Sequence, residues 1–321
     1  MSGIDRQDRI FVAGHRGLVG SAIVRRLERG GYGNIVTRGR AELDLRRQAE
    51  VEAFFEAEPV DVVVLAAATV GGIHANNTRR AEFIRDNLQL QTNVIDAAWK
   101  SGVSRLLFLG SSCIYPRDCP QPMREEHLLS GELEHTNEPY AIAKIAGLKM
   151  CEAYNDQYGT RFVTVMPTNL YGPGDNFDLQ SSHVLPALIR KIHAAAAAGE
   201  PRVTLWGSGR PKREFLHVDD LADACVFLME HNAADADPQW NMVNIGSGEE
   251  VSILDLARMI AGVVGFEGEF VFDTDMPDGT PRKLLDSSRI RALGWSPGID
   301  LAAGLRDTYR WYLEHAAEEA A

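Results

Sequence analysis

The sequence predicts an α/β protein whose parallel β-sheet is covered by helices on both faces. Short, almost entirely apolar segments alternate with segments whose apolar residues recur at helical spacing. Strands that are buried on both faces have such continuous apolar runs, whereas half-exposed strands alternate between apolar and polar residues. The first apolar segment also leads directly into a glycine-rich turn, which is typical of the first strand–helix unit of such sheets.

Strand and helix patterns alternate through the first half of the chain. Apolar runs predict strands over residues 9–13, 34–37, 60–66, 105–110 and 161–166. Helical spacing predicts helices over residues 18–29, 48–55, 79–100 and 140–158. In the first of these helices Leu18, Ile23 and Leu27 share one side, and the arginines lie on the other.

The character of the sequence changes after Pro167. Residues 169–182 are rich in Gly, Asn, Asp, Pro and Ser, which predicts a long functional loop. Ser252 is a candidate N-cap for one of the later helices. The later predicted helices lie near residues 188–198, 218–230, 252–264 and 301–315, and the later strands at 203–206 and 241–245.

Composition excludes several classes of function. The chain has 33 Lys and Arg against 45 Asp and Glu, a net charge of −12, which argues against nucleic-acid and membrane-surface binding. The sequence has no apolar run of 18 residues, so no membrane span is predicted. Its four cysteines lack zinc-site spacing, so no metal site is expected and free thiols in a reducing compartment are favoured. The charged N-terminal segment lacks the apolar core of a signal peptide, which favours a cytoplasmic location.

A phosphate-binding turn is expected directly after the first strand. Its glycines allow a tight turn and let the backbone approach a pyrophosphate, while the following helix offers unpaired N–H groups and the positive end of its dipole. The alternative is a tight strand–helix connection that binds nothing. The strand before the turn and the helix after it favour the binding site. The turn comprises Gly14, His15, Arg16, Gly17, Leu18, Val19 and Gly20.

The second predicted strand indicates which dinucleotide is bound. An NAD site usually places Asp or Glu at the end of this strand, to hold the ribose 2′-hydroxyl. Here the strand ends in Thr37-Arg-Gly-Arg40, and Arg16 adds a further cation from the turn. Guanidinium groups match a 2′-phosphate, so we predict NADP(H). The alternative is that Arg16 and Arg40 are ordinary solvated surface residues.

Tyr140 and Lys144 form a candidate catalytic pair at the start of a predicted helix, just after Pro139. A spacing of four places them on one helix face, where the ammonium can favour the phenolate and make the phenol a better proton shuttle. The fourth predicted strand leads into Ser111 and Ser112, at the sheet edge where open α/β sheets bind ligands. Ser111 could donate a hydrogen bond to a substrate oxygen. The alternative is that both serines only cap the strand.

Further segments resemble the extended short-chain dehydrogenase/reductase family, and the resemblance runs nearly end to end. The glycine-rich turn and the Tyr140/Lys144 pair are common to the whole family. Narrower signals are Val-Gly-Gly-Ile at residues 70–73 and Ser-Ser-Cys-Ile-Tyr-Pro at residues 111–116, with further matches at 136–144, 166–173, 206–209, 213–220 and 277–286. These are similar to the branch that performs NADPH-dependent 3,5-epimerisation and 4-reduction of GDP-4-keto-6-deoxy-D-mannose.

The resemblance implies a catalytic role for five residues. Ser111, Tyr140 and Lys144 would form the reductase triad, and Cys113 and His183 the acid–base pair for epimerisation. The chemistry is consistent, because C3 and C5 of a 4-keto sugar are both α to the carbonyl, and a thiol and an imidazole titrate near enough to neutrality to exchange their protons. From the residues alone, Cys113 is more simply read as a small core residue, and His183 as a capping or surface residue.

The resemblance also implies the residues that bind the two ligands. Substrate contacts would come from Lys191, Trp206, Arg213 and Asp278. Besides the turn and Arg40, cofactor contacts would come from Leu109, Gly110, Ser111, Ser112, Lys144, Pro167, Thr168, Asn169, Leu170 and His183. In the family, the helices that match residues 79–100 and 140–158 pair with a second subunit, so a homodimer is expected.

We therefore expect a Rossmann-type doubly wound parallel sheet with a smaller C-terminal α/β substrate lobe. The NADP-binding domain would cover residues 1–168, with residues of about 213–246 returning to it, and residues 169–321 would form mainly the substrate lobe. Two other functions remain open. One is a related nucleotide-sugar epimerase or dehydratase that recycles its nicotinamide. The other is a nucleotide-sensing protein, which the presence of both Tyr140 and Lys144 disfavours.

Overall fold

The computed structural model describes residues 3–103, 105–231, 238–275 and 278–319. In chain order its strands are β1 (Ile10–Ala13), β2 (Ile35–Val36), β3 (Val62–Leu65), β4 (Arg105–Leu109), β5 (Arg161–Pro167), β6 (Asn169–Tyr171), β7 (Arg202–Trp206), β8 (Lys212–His217), β9 (Met242–Ile245), β10 (Glu250–Ser252), β11 (Glu269–Asp273) and β12 (Arg282–Lys283). The helices are α1 (Leu18–Arg29), α2 (Gln48–Ala57), α3 (Ile73–Thr78), α4 (Arg80–Lys100), α5 (Glu138–Tyr158), α6 (Val184–Ala198), α7 (Val218–His231), α8 (Ile253–Val264), α9 (Ser288–Ala292) and α10 (Leu301–Glu319).

A six-stranded sheet organises the larger part of the molecule. Its strand order is β2-β1-β3-β4-β5-β9, and every neighbouring pair is parallel. The chain leaves β1 for β2 on one side and later returns to β3 on the other, so the connections diverge at the carboxyl end of β1. Open α/β sheets bind ligands at such a switch point. The predicted fold class, a doubly wound parallel sheet of the Rossmann type, is confirmed.

Alternate residues of the central strands pack against opposite helix layers. In β1, Ile10 and Val12 contact the layer that contains α1 and α7, whereas Phe11 and Ala13 contact the layer that contains α2, α4 and α5. All four side chains are buried. Because successive side chains of a strand point to opposite faces, a sheet covered on both faces needs an unbroken apolar run. This explains the pattern that predicted the fold.

The later chain builds two small sheets around a separate core. Strand β8 pairs antiparallel with β10 and parallel with β12 and β6, and β7 pairs with β11. Buried residues of α6, α8 and α10 join these strands in one apolar cluster. The segment of about 213–246 therefore divides between the two parts of the molecule. Strand β8 belongs to a small sheet, whereas α7 packs against α1 and β9 is an edge strand of the large sheet. The domain boundary at residue 168 stays a prediction.

Two local features differ from the sequence-based expectation. The segment 169–182 is not a loop throughout, because it begins with strand β6, which pairs with β8. Strands β10, β11 and β12 were not predicted either. Strands β10 and β12 have only three and two residues, and the short apolar run of β11 is flanked by the charged residues Glu269 and Asp273. None of the helices in the described part of the chain combines the length and the apolarity needed to cross a bilayer.

Candidate active site

The glycine-rich turn forms a cradle at the carboxyl end of β1. Gly14 has a φ of +88°, and a Cβ atom on it would lie 2.6 Å from the backbone nitrogen of Ala67. A Cβ atom on Gly20 would collide with the carbonyl oxygen of Gly14. Gly17 precedes the first residue of α1 and offers no side chain to cap its N–H groups. The turn therefore leaves the first N–H groups of α1 without a side-chain cap, beside a backbone surface that only glycine permits, which fits a pyrophosphate.

His15 and Arg16 extend this cradle. The Nδ1 atom of His15 is buried and has no hydrogen-bond partner among the described residues, and burial, together with the nearby Arg16 charge, lowers its pKa. The Arg16 guanidinium lies 3.4 Å from the position that a Cβ atom of Gly39 would occupy, just beyond β2. Arg16 therefore reaches the place where a dinucleotide's adenosine ribose is expected.

The two arginines that flank Gly39 have different surroundings. Arg40 is exposed, whereas Arg38 forms an ion pair of 2.7 Å with Glu58 and lies over the Phe54 ring at 5.5 Å. The geometry therefore leaves Arg16 and Arg40, rather than Arg38, as the cations for a 2′-phosphate. The residues present fit NADP(H).

Lys144 is held at the end of β4. Its side chain is buried, and its Nζ atom donates a hydrogen bond of 2.6 Å to the carbonyl oxygen of Leu109. The same ammonium lies 4.6 Å from the centre of the Phe108 ring and 5.8 Å from that of Tyr140. Burial lowers the pKa of Lys144 to about 8, and the nearby Cys113 opposes that change. A lysine in this position can gain and lose its charge within the working range of an enzyme.

Ser111 connects the reductase and epimerase groups. It caps the 3-10 helix Ser112–Ile114, where its Oγ atom accepts a hydrogen bond of 3.4 Å from the backbone N–H of Cys113. Burial raises the pKa values of both Tyr140 and Cys113, and a hydrogen bond from the Ser111 hydroxyl opposes the rise in each. The structure thus places Ser111, Cys113, Tyr140 and Lys144 in one cluster. Capping is one role of Ser111 here, alongside its contact with these two reactive groups.

His183 lies directly before α6. It occupies the N-cap position, but its side chain makes no capping hydrogen bond, so the simple capping role is wrong. His183 is exposed. The surrounding protein nevertheless lowers its pKa, and the charge of Lys283 adds to that effect. Both effects favour the neutral imidazole.

The remaining proposed cofactor residues lie where β4 and β5 end. Gly110 hydrogen-bonds to β5, and a Cβ atom on it would collide with the Met166 side chain; Ser112 is buried. Pro167 ends β5 and Leu170 lies in β6. The side chains of Thr168 and Asn169 both donate to the carbonyl oxygen of Glu214, at 3.2 and 2.8 Å. Their polar groups therefore fix the junction between β5 and β8.

The proposed substrate residues form two pairs in the later chain. The Lys191 ammonium lies 4.9 Å from the centre of the Trp206 ring, which is 55% exposed. Asp278 accepts hydrogen bonds of 2.6 and 2.8 Å from the backbone and hydroxyl of Ser208, and these lower its pKa. The half-buried Arg213 feels the charge of this carboxylate. An open aromatic face with cations beside it suits a nucleotide diphosphate.

Sequence reasoning missed Lys283. It lies in β12 beside Arg213, and its charge acts on both Cys113 and His183. The only signal was its position within the segment 277–286 that matched the family, where it was one charged residue among several. Nothing local distinguishes it, because its neighbours come from distant parts of the chain.

Residues 10–246 of the chain match the NAD dependent epimerase/dehydratase family. The chain belongs to this family. The matched residues include the glycine-rich turn and all six strands of the large sheet, which together form the dinucleotide-binding part of the chain.

Individual members of the family are similar over nearly their whole length. The chain is 60% identical to a protein of Oryza sativa subsp. japonica named probable GDP-L-fucose synthase 1, over 97% of this chain and 94% of the relative. It is 55% identical to the GDP-L-fucose synthase of Escherichia coli strain K12, over 96% of this chain and 98% of the relative. A solved GDP-L-fucose synthetase from Naegleria fowleri bound to NADP has a TM-score of 0.88 at 28% identity, covering 98% of this chain and 97% of that one.

Proposed function

We propose that this protein is a GDP-L-fucose synthase, which performs NADPH-dependent 3,5-epimerisation and 4-reduction of GDP-4-keto-6-deoxy-D-mannose. The observation that carries the proposal is the cluster at the end of β4, where the backbone N–H of Cys113 donates to Ser111, and where Lys144, one helical turn after Tyr140, donates to Leu109. Reduction needs the Tyr140 phenol and epimerisation needs the Cys113 thiol, so one sugar ring must reach both groups. The identity to proteins named GDP-L-fucose synthase supports the substrate and product.

The cofactor assignment rests on the cradle at β1. Gly14 and Gly20 admit a pyrophosphate close to the backbone, and Arg16 and Arg40 lie where a 2′-phosphate would need cations. The NADP-bound relative supports the same dinucleotide. When bound, NADPH supplies the hydride that reduces C4.

In the proposed epimerisation, Tyr140 and Ser111 hydrogen-bond the C4 ketone oxygen. These donors stabilise the negative charge that this oxygen acquires when a proton leaves C3 or C5. Cys113 and His183 remove and return those protons, since inversion needs a base on one face of the carbon and an acid on the other. The same ketone oxygen thus carries the developing charge for both carbons.

In the proposed reduction, Tyr140 donates its proton to the C4 oxygen. Burial alone disfavours the resulting phenolate, because it raises the pKa of Tyr140. The Lys144 ammonium near the Tyr140 ring and the Ser111 hydroxyl offset part of that cost. Tyr140 and Ser111 therefore serve both half-reactions through one substrate oxygen.

The test is to incubate the purified protein with GDP-4-keto-6-deoxy-D-mannose and NADPH and to identify the product by NMR. We expect GDP-L-fucose, with one NADPH oxidised for each sugar formed. A related epimerase or dehydratase that recycles its nicotinamide would instead convert the sugar without net NADPH oxidation. That outcome, or a product in which C3 and C5 keep their configuration, would contradict the proposal.

We also propose that the protein is a homodimer that pairs through α4 and α5. The two helices pack against each other on one side of the sheet, and Ile142 and Tyr158 of α5 are 41% and 44% exposed. Light scattering on the purified protein tests this proposal, and a monomeric mass would refute it. A cytoplasmic location stays a prediction.

A further inference from the structure

The segment of residues 69–72 follows strand β3 and is anchored to helix α4. Asn87, a fully buried residue of α4, accepts a hydrogen bond of 2.9 Å from the Thr69 N–H and donates one of 2.9 Å to the Thr69 carbonyl oxygen. One amide side chain therefore satisfies both backbone groups of Thr69. Strands β3 and β4 are parallel neighbours, so this segment and the cluster at Ser111 leave the sheet at the same edge.

The amide of Asn76 holds the two glycines that end this segment. Asn76 lies in α3 and is 7% exposed. Its Nδ2 atom donates hydrogen bonds of 2.6 and 3.1 Å to the carbonyl oxygens of Gly71 and Gly72. Because Asn87 acts on Thr69 and Asn76 acts on the two glycines, the segment is fixed at both of its ends.

Gly72 lies directly against the peptide unit that leads into His183. The Gly72 N–H donates a hydrogen bond of 2.8 Å to the carbonyl oxygen of Ser181. A Cβ atom on Gly72 would lie 2.5 Å from the carbonyl oxygen of Ser182, which belongs to the peptide unit between Ser182 and His183. Any side chain at this position must therefore move that peptide unit. Since the φ of Gly72 is −66°, which every residue adopts, the need for glycine comes from space alone.

The backbone of His183 is also held from the other side. Its carbonyl oxygen accepts a hydrogen bond of 3.1 Å from the Ala187 N–H in the first turn of α6. Just before it, the Ser182 N–H donates a hydrogen bond of 2.8 Å to the carbonyl oxygen of Asp178. The His183 side chain makes no capping hydrogen bond to α6. The backbone held between α6 and Gly72 therefore sets the point from which the imidazole extends.

We propose that Gly72 is a positioning residue for epimerisation, which fixes the place of the His183 imidazole by letting the preceding peptide unit pack against residues 69–72. The proposal deepens the proposed function and rests on it for the identity of the reaction. The other acid–base group, Cys113, is placed separately, because its backbone N–H bonds to Ser111 at the end of β4. The separation of the two groups thus depends on the contact at Gly72, and catalysis is sensitive to displacements of about 1 Å.

Gly72→Ala adds one methyl group at this contact. In deuterium oxide, we expect the rate at which deuterium enters C3 and C5 of GDP-4-keto-6-deoxy-D-mannose to fall by about 100-fold. The oxidation of GDP-L-fucose by NADP⁺ reverses the C4 step alone, since the hydride leaves C4 for the nicotinamide and the O4 proton returns to Tyr140. The rate of this oxidation and the affinity for NADPH should stay near their wild-type values. A general loss of structure would lower all three.

Gly262→Ala is the matched control. Gly262 lies in α8, and a Cβ atom on it would meet nothing outside its own helix within 4 Å, so all three measurements should be unchanged. Wild-type exchange at C3 and C5 in folded Gly72→Ala would overturn the proposal, as would equal falls in exchange and in the C4 step. If Gly72→Ala does not fold, Asn76→Ala loosens the same segment without adding atoms. It should slow exchange while the C4 step is retained, and the same two results would overturn the proposal.

The NMR signals of the His183 imidazole give a readout that needs no substrate. They are assigned by comparison with His183→Gln, and we expect them to move in Gly72→Ala but not in Gly262→Ala. Signals that stay in place in Gly72→Ala would overturn the proposal. If they move but the wild-type protein does not act on the keto sugar, the proposed substrate fails and the placement of His183 by Gly72 stands. If the wild type and Gly72→Ala convert the sugar equally well, the role of Gly72 fails and the proposed function stands.

Discussion

The ammonium of Lys144 donates a hydrogen bond of 2.6 Å to the carbonyl oxygen of Leu109, the last residue of strand β4. This contact joins helix α5 to the sheet at the position where the strand leads into Ser111. Since Tyr140 lies one helical turn before Lys144, the same contact sets the height of the phenol above the sheet edge. One buried lysine therefore both orients the proton donor and places a charge near it.

The reductase role of Tyr140 predicts a separation of the two half-reactions. Tyr140→Phe removes the proton donor, so NADPH oxidation should fall by about 100-fold or more. Ser111 still contacts the ketone oxygen, so solvent deuterium should still enter C3 and C5 of the 4-keto sugar. NADPH absorbance and NMR of the recovered sugar measure the two processes. A folded variant that loses both would contradict this division of roles.

The epimerase role of Cys113 predicts the opposite pattern. Cys113→Ser replaces the thiol by a hydroxyl that is a much weaker acid and base near neutral pH, so deuterium exchange should fall while NADPH binding is unchanged. Cys119→Ser is the matched control, because Cys119 is also buried but contacts His127 instead of the site. Unchanged product formation in Cys113→Ser would remove this residue from the mechanism.

The arginines near β2 predict the preference for NADPH. Arg16→Ala and Arg40→Ala each remove a cation from the expected 2′-phosphate position, and we expect NADPH affinity to fall about tenfold while NADH affinity changes little. Fluorescence titration with both nucleotides measures this. Arg38→Ala is the control, because the Arg38 guanidinium is paired with Glu58. Equal losses of NADPH and NADH affinity in the Arg16 and Arg40 variants would contradict the assignment.

The environment of Lys144 predicts a loss of reductase activity at alkaline pH. Burial lowers the pKa of Lys144 to about 8, so the side chain loses its positive charge as the pH rises through that value. The neutral amine no longer favours the Tyr140 phenolate, and the rate of NADPH oxidation should fall across the same range. The control is Lys144→Arg, whose guanidinium stays charged. Any activity that Lys144→Arg retains should be flat through pH 8, and a fall at the same pH would assign the transition to another group.

Local sequence patterns predicted the elements that position most of the site. The helix over residues 18–29 has the predicted bounds, because its apolar stripe and its glycine-rich start are both encoded locally. The N-cap role predicted for Ser252 is confirmed, since its Oγ atom accepts a hydrogen bond of 3.0 Å from the backbone of Asp255. Such features depend on residues within one or two turns of each other.

Long-range pairing accounts for what sequence reasoning missed. Strand β12 contains only Arg282 and Lys283, and it exists because it pairs with β8, while the segment Gln121–Met123 holds Leu284, the residue that follows. No periodic pattern in two charged residues predicts a strand. The effect of the Lys283 charge on the pKa values of Cys113 and His183 joins distant segments of the chain, so it could be read only from the folded chain.

In the proposed mechanism, one ketone oxygen supports proton exchange at C3 and C5 before hydride reaches C4. NMR of the product formed from GDP-4-keto-6-deoxy-D-mannose and NADPH in deuterium oxide tests this order. We expect GDP-L-fucose with deuterium at C3 and C5 and ordinary hydrogen at C4. Ordinary hydrogen at C3 and C5, or deuterium at C4, would contradict it.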